Sequence, residues 1–109
     1  MAEGDRIAGF KEVVAEMPDD PVLRFGLAGA YLDAGRPESA VAEYQETIRL
    51  KPDYSAAYRG LGRARERAGR PGEARAAYVE GIEVATRNGD LQTKKEMEVF
   101  LRRLDKAGG

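Results

Sequence analysis

Apolar residues recur at helical spacing along almost the whole chain, and proline or glycine separates one periodic stretch from the next. In the last stretch, Met97, Phe100, Leu101 and Leu104 are spaced i, i+3, i+4, i+7, which places them on one helix face. No stretch shows the strict alternation that is typical of a half-buried β-strand. The pattern predicts six helices, at about residues 5–17, 22–34, 37–50, 56–68, 71–87 and 91–106.

The residues between these stretches are those that end and begin helices. The sequence Ala-Gly-Arg-Pro stands at 34–37 and again at 68–71. Its glycine ends one helix, because glycine adopts the left-handed conformation without a steric penalty, and its proline opens the next. Asp5 is the predicted N-cap of the first helix and Asp90 that of the last.

The chain also repeats itself at an offset of 34 residues, with 21–54 aligning on 55–88. Identical residues at this offset include Gly26/Gly60, Leu27/Leu61, Ala30/Ala64, Ala40/Ala74, Ala42/Ala76, Tyr44/Tyr78, Glu46/Glu80 and Ile48/Ile82. A fixed period of this length is typical of stacked-repeat proteins, in which one unit cannot bury its apolar face alone.

The spacing within each unit resembles the tetratricopeptide repeat, Trp-x2-Leu-Gly-x2-Tyr, then Ala-x3-Phe, then Pro. The matching positions are Arg24, Leu27, Ala28, Tyr31, Ala40, Tyr44 and Pro52 in the first unit, and Tyr58, Leu61, Gly62, Arg65, Ala74, Tyr78 and Thr86 in the second. Arg24, Arg65 and Thr86 depart from the pattern. The two arginines either loosen the packing or serve a ligand face, and Thr86 lets the fifth helix run long.

The resemblance, which extends to small bacterial members of this family, implies an all-α fold. We expect a right-handed superhelical stack of antiparallel helix pairs in a single domain, 1–109. Its parts are a half repeat at 5–20, repeats at 21–54 and 55–88, and a capping helix at 90–106.

In this family the first helix of each pair lines a concave, peptide-binding groove. The resemblance places that groove at Phe25, Gly26, Gly29, Leu32, Arg59, Gly60, Arg63, Arg67, Lys95 and Arg102. Gly29 and Gly60 stand where the asparagines of the family's carboxylate clamp would be, so a chaperone C-terminal tail is not the expected ligand.

Several groove residues have two interpretations. Arg59, Arg63 and Arg67 share one helix face, which is either a solvated basic face or a grip on carboxylates. Phe25 and Leu32 are either partly covered by neighbouring groups or form an apolar pocket. The mid-helix glycines Gly26 and Gly60 reflect tolerated drift, or close approach by a ligand or a neighbouring helix.

Charge is distributed unevenly along the chain. Residues 1–54 hold 6 basic and 11 acidic side chains, a net charge of −5, whereas residues 55–109 hold 12 basic and 8 acidic, a net charge of +4. This asymmetry either arises by chance in a charge-rich chain or favours an acidic partner or head-to-tail self-association.

The amino-acid composition argues against a catalytic or metal-binding function. The chain has neither cysteine nor histidine, so the commonest metal ligands and the commonest general base are missing. Gly60-Leu-Gly62 begins like a dinucleotide fingerprint but lies inside a predicted helix. We therefore expect no catalytic residue, metal, cofactor or small-molecule substrate. No membrane span or signal peptide is visible, and the expected location is the cytoplasm.

The expected function is that of a non-catalytic adaptor whose groove binds a short protein or peptide segment, acidic or C-terminal. The alternative is a homodimer or larger self-assembly that uses the same surface. A remote alternative is weak nucleic-acid binding by the basic C-terminal half, which the near-neutral net charge of −1 disfavours.

Overall fold

The computed structural model describes residues 3–108, and this part of the chain is helical with no strand. Its helices are α1 (Glu3–Glu16), α2 (Pro21–Asp33), α3 (Pro37–Leu50), α4 (Ser55–Arg67), α5 (Pro71–Asn88) and α6 (Leu91–Ala107). Residues 1, 2 and 109 of the predicted domain lie outside the described range. Every predicted helix is present, and the all-α fold is confirmed.

The helix ends agree with the turn chemistry except at α1. That helix begins at Glu3, so Asp5 lies in its first turn and the prediction of Asp5 as an N-cap is wrong. A carboxylate in the first turn is still favourable, because it faces the positive end of the helix dipole. The cap at Asp90 is confirmed: its side chain accepts a hydrogen bond from the backbone N–H of Thr93 at 3.3 Å.

Both glycines of the Ala-Gly-Arg-Pro segments have the predicted left-handed conformation. Gly35 has a φ of 74° and Gly69 a φ of 78°. The prolines that follow, Pro37 and Pro71, are the first residues of α3 and α5. The repeated four-residue segment therefore makes the same hairpin turn twice.

The helices form two layers. Each helix packs on the next one in the chain, and α4 also contacts both α2 and α6. The even-numbered helices therefore lie side by side, and α1, α3 and α5 pack against them from the other side. The stack measures 41 × 28 × 21 Å.

Aromatic rings from one layer press on glycines in the other. A Cβ atom added to Gly26 would lie 2.4 Å from Cε1 of Phe10, and one added to Gly60 would lie 2.4 Å from Cε1 of Tyr44. Both distances are far below van der Waals contact, so no larger residue fits without displacing the ring. The recurrence of glycine at this position follows from the close approach of a neighbouring helix, not from tolerated drift.

The two arginines that depart from the family pattern join helices within a repeat. Arg24 donates to Oε1 of Glu43 on α3 at 3.1 Å and to the carbonyl oxygen of Pro18 at 3.0 Å. Arg65 donates to the carbonyl oxygen of Glu73 on α5 at 3.2 Å. Their side chains are only 20% and 15% exposed. Each arginine therefore joins the two helices of its own pair.

Thr86 does lengthen α5, as predicted from the absence of proline. The helix has 18 residues, compared with 14 in α3. The Thr86 hydroxyl donates to the carbonyl oxygen of Ile82 at 2.7 Å, inside the helix. As a result α6 begins 36 residues after α4, whereas α4 begins 34 residues after α2.

Candidate functional site

The predicted groove residues all lie on α2, α4 and α6, the three helices that share one layer. Their exposure differs widely. Gly60 is buried; Phe25, Gly26, Gly29, Leu32, Arg59 and Arg63 are half-buried; Arg67, Lys95 and Arg102 are exposed. Most of the predicted groove residues are therefore only partly accessible to a ligand, and three of them are exposed.

The α2 part of this surface is apolar and supported from beneath. The ring of Phe25 stacks on Tyr54, with centroids 5.0 Å apart, and meets Tyr44 edge-on at 5.8 Å. Leu32 packs against the same core cluster. Both apolar residues are thus partly covered by the protein's own neighbouring groups. Gly29 is more open, because a Cβ added there would find only the Tyr44 hydroxyl, at 3.9 Å.

Two of the predicted glycines are packing positions. Gly60 is buried under the Tyr44 ring, so its assignment to the ligand-contacting surface is corrected. Gly26 is half-buried and meets the Phe10 ring. At both positions the missing side chain admits an aromatic ring from the other layer.

The arginines of α4 reach toward α6. Nη1 of Arg59 lies 2.5 Å from Oε1 of Glu96, which makes an ion pair between the two helices. The guanidinium of Arg63 lies 4.5 Å from the centre of the Phe100 ring, within the range of a cation–π contact. These two arginines are neither a fully solvated face nor an open grip on carboxylates, because α6 already supplies them with partners.

The exposed positive charges of the groove lie around this paired region. Arg67 donates to the carbonyl oxygen of Leu32 at a long 3.3 Å, across the gap between α4 and α2. Lys95 and Arg102 are exposed on α6. Arg67, Lys95 and Arg102 are therefore the most exposed basic side chains among the predicted groove residues.

Glu66, on the same helix as the arginines, is held from the other layer. It accepts a hydrogen bond from the hydroxyl of Tyr78, a residue that is 0% exposed. Burial raises the pKa of the Tyr78 phenol, and the neighbouring Glu66 carboxylate raises it further. The tyrosine therefore stays protonated and keeps donating to Glu66.

A cavity of about 330 Å³ opens at the amino-terminal ends of α2 and α4. It is lined by Val22, Lys51, Asp53, Tyr54, Ser55, Ala56 and Asp90. Asp90 accepts a hydrogen bond from the Ser55 hydroxyl at 2.6 Å. That bond and those from Thr93 hold the pKa of Asp90 below its ordinary value. The sequence does not predict that Tyr54 lines a cavity, because the turn in which it lies contains no ligand-binding motif.

Residues 3–108 lack the features of a metal site, a membrane-spanning helix and a phosphate-binding loop. No group of three or more acidic side chains there could hold a metal ion. No helix in this range is long and apolar enough to cross a membrane. Gly60 and Gly62 lie inside α4 against tyrosine rings, which is unlike a phosphate-binding loop.

Comparison with known proteins defines the class. A model of the tetratricopeptide repeat family matches residues 10–90. The chain therefore belongs to the tetratricopeptide repeat family, whose members are protein-interaction modules.

Particular relatives sharpen the comparison. The chain is 45% identical over 101 residues to TPR repeat-containing protein PA0015 of Pseudomonas aeruginosa, covering 93% of this chain and 96% of that protein. The solution structure of protein BPP2914 from Bordetella parapertussis superposes with a TM-score of 0.82 at 31% identity, covering 93% and 88% of the two chains. The first TPR of Spaghetti, bound to the HSP90 peptide SRMEEVD, superposes with a TM-score of 0.82 at 24% identity, covering 96% and 80%.

Proposed function

We propose that this protein is a non-catalytic adaptor that binds a short acidic peptide segment in the groove between α2, α4 and α6. The observation that carries the proposal is the row of Arg59, Arg63 and Arg67 along α4, the middle helix of the layer, in which Arg67 is exposed and α6 partly occupies the other two. The row lies between an apolar edge on α2 and further basic residues on α6.

The dimensions of the groove limit the ligand. Three helices at about 9–10 Å spacing span roughly 20–30 Å, which an extended peptide covers in about six to eight residues. A contact of this size favours weak and transient binding. A domain of the same fold, the first TPR of Spaghetti, is bound to the HSP90 peptide SRMEEVD, which supports a short peptide as the kind of ligand.

The chemistry of the groove indicates a mixed ligand. Phe25 and Leu32 offer partly exposed apolar surface on α2, whereas Arg67 and Arg102 offer positive charge on α4 and α6. A peptide in which apolar and acidic residues alternate would present one kind of side chain to each edge. Charge-assisted hydrogen bonds from arginine to carboxylate would then supply the specificity.

The experiment compares a six-residue fluorescein-labelled peptide of alternating leucine and glutamate with its leucine–glutamine counterpart. We expect the acidic peptide to bind, and Arg67→Gln combined with Arg102→Gln to weaken its binding about tenfold or more. Arg49→Gln combined with Arg87→Gln is the matched control, because it removes the same charge from α3 and α5.

Fluorescence anisotropy measures the affinities, and far-UV circular dichroism checks that helicity is unchanged. Equal binding of the two peptides would refute the proposal. Equal weakening by both pairs of substitutions would also refute it, because it would show an effect of net charge alone.

Self-association is the second candidate, and the uneven charge along the chain is what favours it. The structure weakens the apolar version of this idea, because Phe25 and Leu32 are partly covered. Sedimentation velocity over a concentration series tests it directly. A monomer at high concentration and low salt would exclude it, since electrostatic association strengthens as salt falls.

A further inference from the structure

We propose that Glu96 is a built-in competitor for Arg59, so that an acidic ligand gains this arginine only by displacing the protein's own carboxylate. The proposal rests on the function proposed above and identifies Glu96 as a residue that sets the groove's affinity and its selectivity for acidic segments.

The position of Glu96 within its helix is unusual. It is the sixth residue of α6, as Gly26 and Gly60 are the sixth residues of α2 and α4. In those two helices the position is bare and an aromatic ring covers it. In α6 the same position carries a carboxylate that reaches Arg59, with 2.5 Å between the charged atoms.

Glu96 does not act alone on α6. Phe100 follows it by four residues, so the two side chains share one helix face. Phe100 lies under the guanidinium of Arg63 at 4.5 Å. One face of α6 therefore occupies two of the three arginines in the row and leaves Arg67 as the directly accessible one.

The ion pair is suited to exchange. The side chains of Arg59 and Glu96 are 31% and 40% exposed, so water and a ligand carboxylate both reach them. Ion pairs with this degree of exposure contribute little to folding. The helix is held instead by its apolar stripe, in which Met97 is 0% exposed. Glu96 can therefore leave Arg59 without α6 leaving the stack.

Glu98 provides a matched control on the same helix. It is half-buried like Glu96, and within residues 3–108 it forms no ion pair. Glu96→Gln and Glu98→Gln change the net charge of the protein equally. A difference between them in ligand binding therefore isolates the competition for Arg59 from long-range electrostatics.

The test measures binding of the leucine–glutamate peptide to the wild-type protein, to both glutamine variants, and to Glu96→Gln in an Arg59→Gln background. We expect Glu96→Gln to tighten binding about three- to tenfold and Glu98→Gln to change it less than about twofold. The gain should disappear without Arg59. Equal effects of the two glutamine variants, or a gain that persists without Arg59, would overturn the proposal.

A second measurement keeps the two proposals separate. Guanidinium NMR signals of Arg59 are followed while glutarate is added as a small dicarboxylate probe. We expect them to shift in Glu96→Gln and to stay nearly unchanged in the wild-type protein; equal shifts in both would refute the competition. If glutarate behaves as expected but no variant binds the peptide, the adaptor function falls and the competition at Arg59 stands.

Discussion

The two full repeats share a core but not a surface. At four core positions they carry the same residues, Leu27/Leu61, Ala30/Ala64, Ala40/Ala74 and Tyr44/Tyr78, and all eight are buried. At the groove positions they differ: Phe25 corresponds to Arg59, Gly29 to Arg63, Leu32 to Glu66 and Asp33 to Arg67. Packing density restricts what can change inside, whereas the groove positions tolerate side chains of different size and charge.

Even identical residues have different surroundings in the two repeats. Tyr44 packs on Gly60 of the following helix pair, whereas Tyr78 packs on Gly62 of its own pair and bonds to Glu66. Within residues 3–108 the helix that follows the second repeat is α6, which begins 36 residues after α4, whereas α4 begins 34 residues after α2. The environment of a repeat residue thus depends on its neighbours as much as on its position in the repeat.

The largest predicted effect tests whether the tyrosines are equivalent. Tyr44→Ala and Tyr78→Ala should each lower the free energy of unfolding by about 3–5 kcal/mol, because each leaves a large cavity. The phenylalanine variants sharpen the comparison. Tyr78→Phe should cost about 1 kcal/mol through the lost bond to Glu66. Tyr44→Phe should cost almost nothing, because within residues 3–108 its hydroxyl makes no hydrogen bond.

Urea denaturation measures all four variants. Equal costs for the two phenylalanine variants would show that the tyrosines are equivalent after all.

A second change would make the end of the second repeat resemble the first. Thr86→Pro should destabilise the protein by about 3 kcal/mol, because proline lacks the N–H and collides with the carbonyl of Ile82 four residues earlier. It should also disturb the packing of α6, seen as reduced protection of its amides in hydrogen exchange. Thr86→Ala removes only the hydroxyl bond and should cost less than about 1 kcal/mol. Similar results for the two variants would contradict the role given to the missing proline.

Glycines under rings should behave differently from glycines in the open. A Cβ at Gly62 would lie 2.2 Å from Cε1 of Tyr78, whereas one at Gly9 of α1 would meet nothing within 4 Å. Gly62→Ala should cost about 1–3 kcal/mol through overpacking. Gly9→Ala should stabilise the protein by about 0.5–1 kcal/mol through helix propensity. Thermal unfolding compares them, and a destabilised Gly9→Ala would contradict the open surroundings of that glycine.

The smallest predicted effect concerns the cap between the second repeat and α6. Because the pKa of Asp90 is lowered in the folded protein, its ionised form stabilises the fold above about pH 4, and this stability is lost as the pH falls further. Ser55→Ala removes the largest cause of that shift. We expect Ser55→Ala to lower the free energy of unfolding by at most about 1 kcal/mol at neutral pH, because the Asp90 carboxylate is partly exposed to water.

The difference between Ser55→Ala and the wild-type protein should be smaller at an acid pH below the lowered pKa of Asp90 than at neutral pH, because the protonated carboxyl accepts the Ser55 hydrogen bond less strongly. Asp90→Asn is the control, because asparagine does not ionise and the free energy of unfolding of this variant should lack the pH dependence that Asp90 causes. A Ser55→Ala effect of the same size at both pH values would refute the assignment.

Most of the fold was predictable because its determinants are local. The i, i+3, i+4 spacing of apolar residues defines the helices, and the Ala-Gly-Arg-Pro segments define two of the turns. The predicted start of α1 is wrong because the residues that cap a helix resemble those of its first turn, and an aspartate such as Asp5 suits either position.

The composition of the candidate site was predictable only in part. The family pattern placed Arg59, Arg63 and Arg67 on the middle helix, and the structure confirms that helix and its layer. Their partners could not be predicted, because Glu96 and Phe100 come more than thirty residues later and meet them only through the placement of α6.

The sequence by itself determined the repeat, its helices and the small residues that let the layers approach, since these follow from periodicity and steric fit within each unit. Only the tertiary structure decided which surface stays open, because exposure depends on contacts between helices that are distant in the chain. It showed that the Tyr44 ring packs on Gly60 and that Arg59 already forms an ion pair with Glu96.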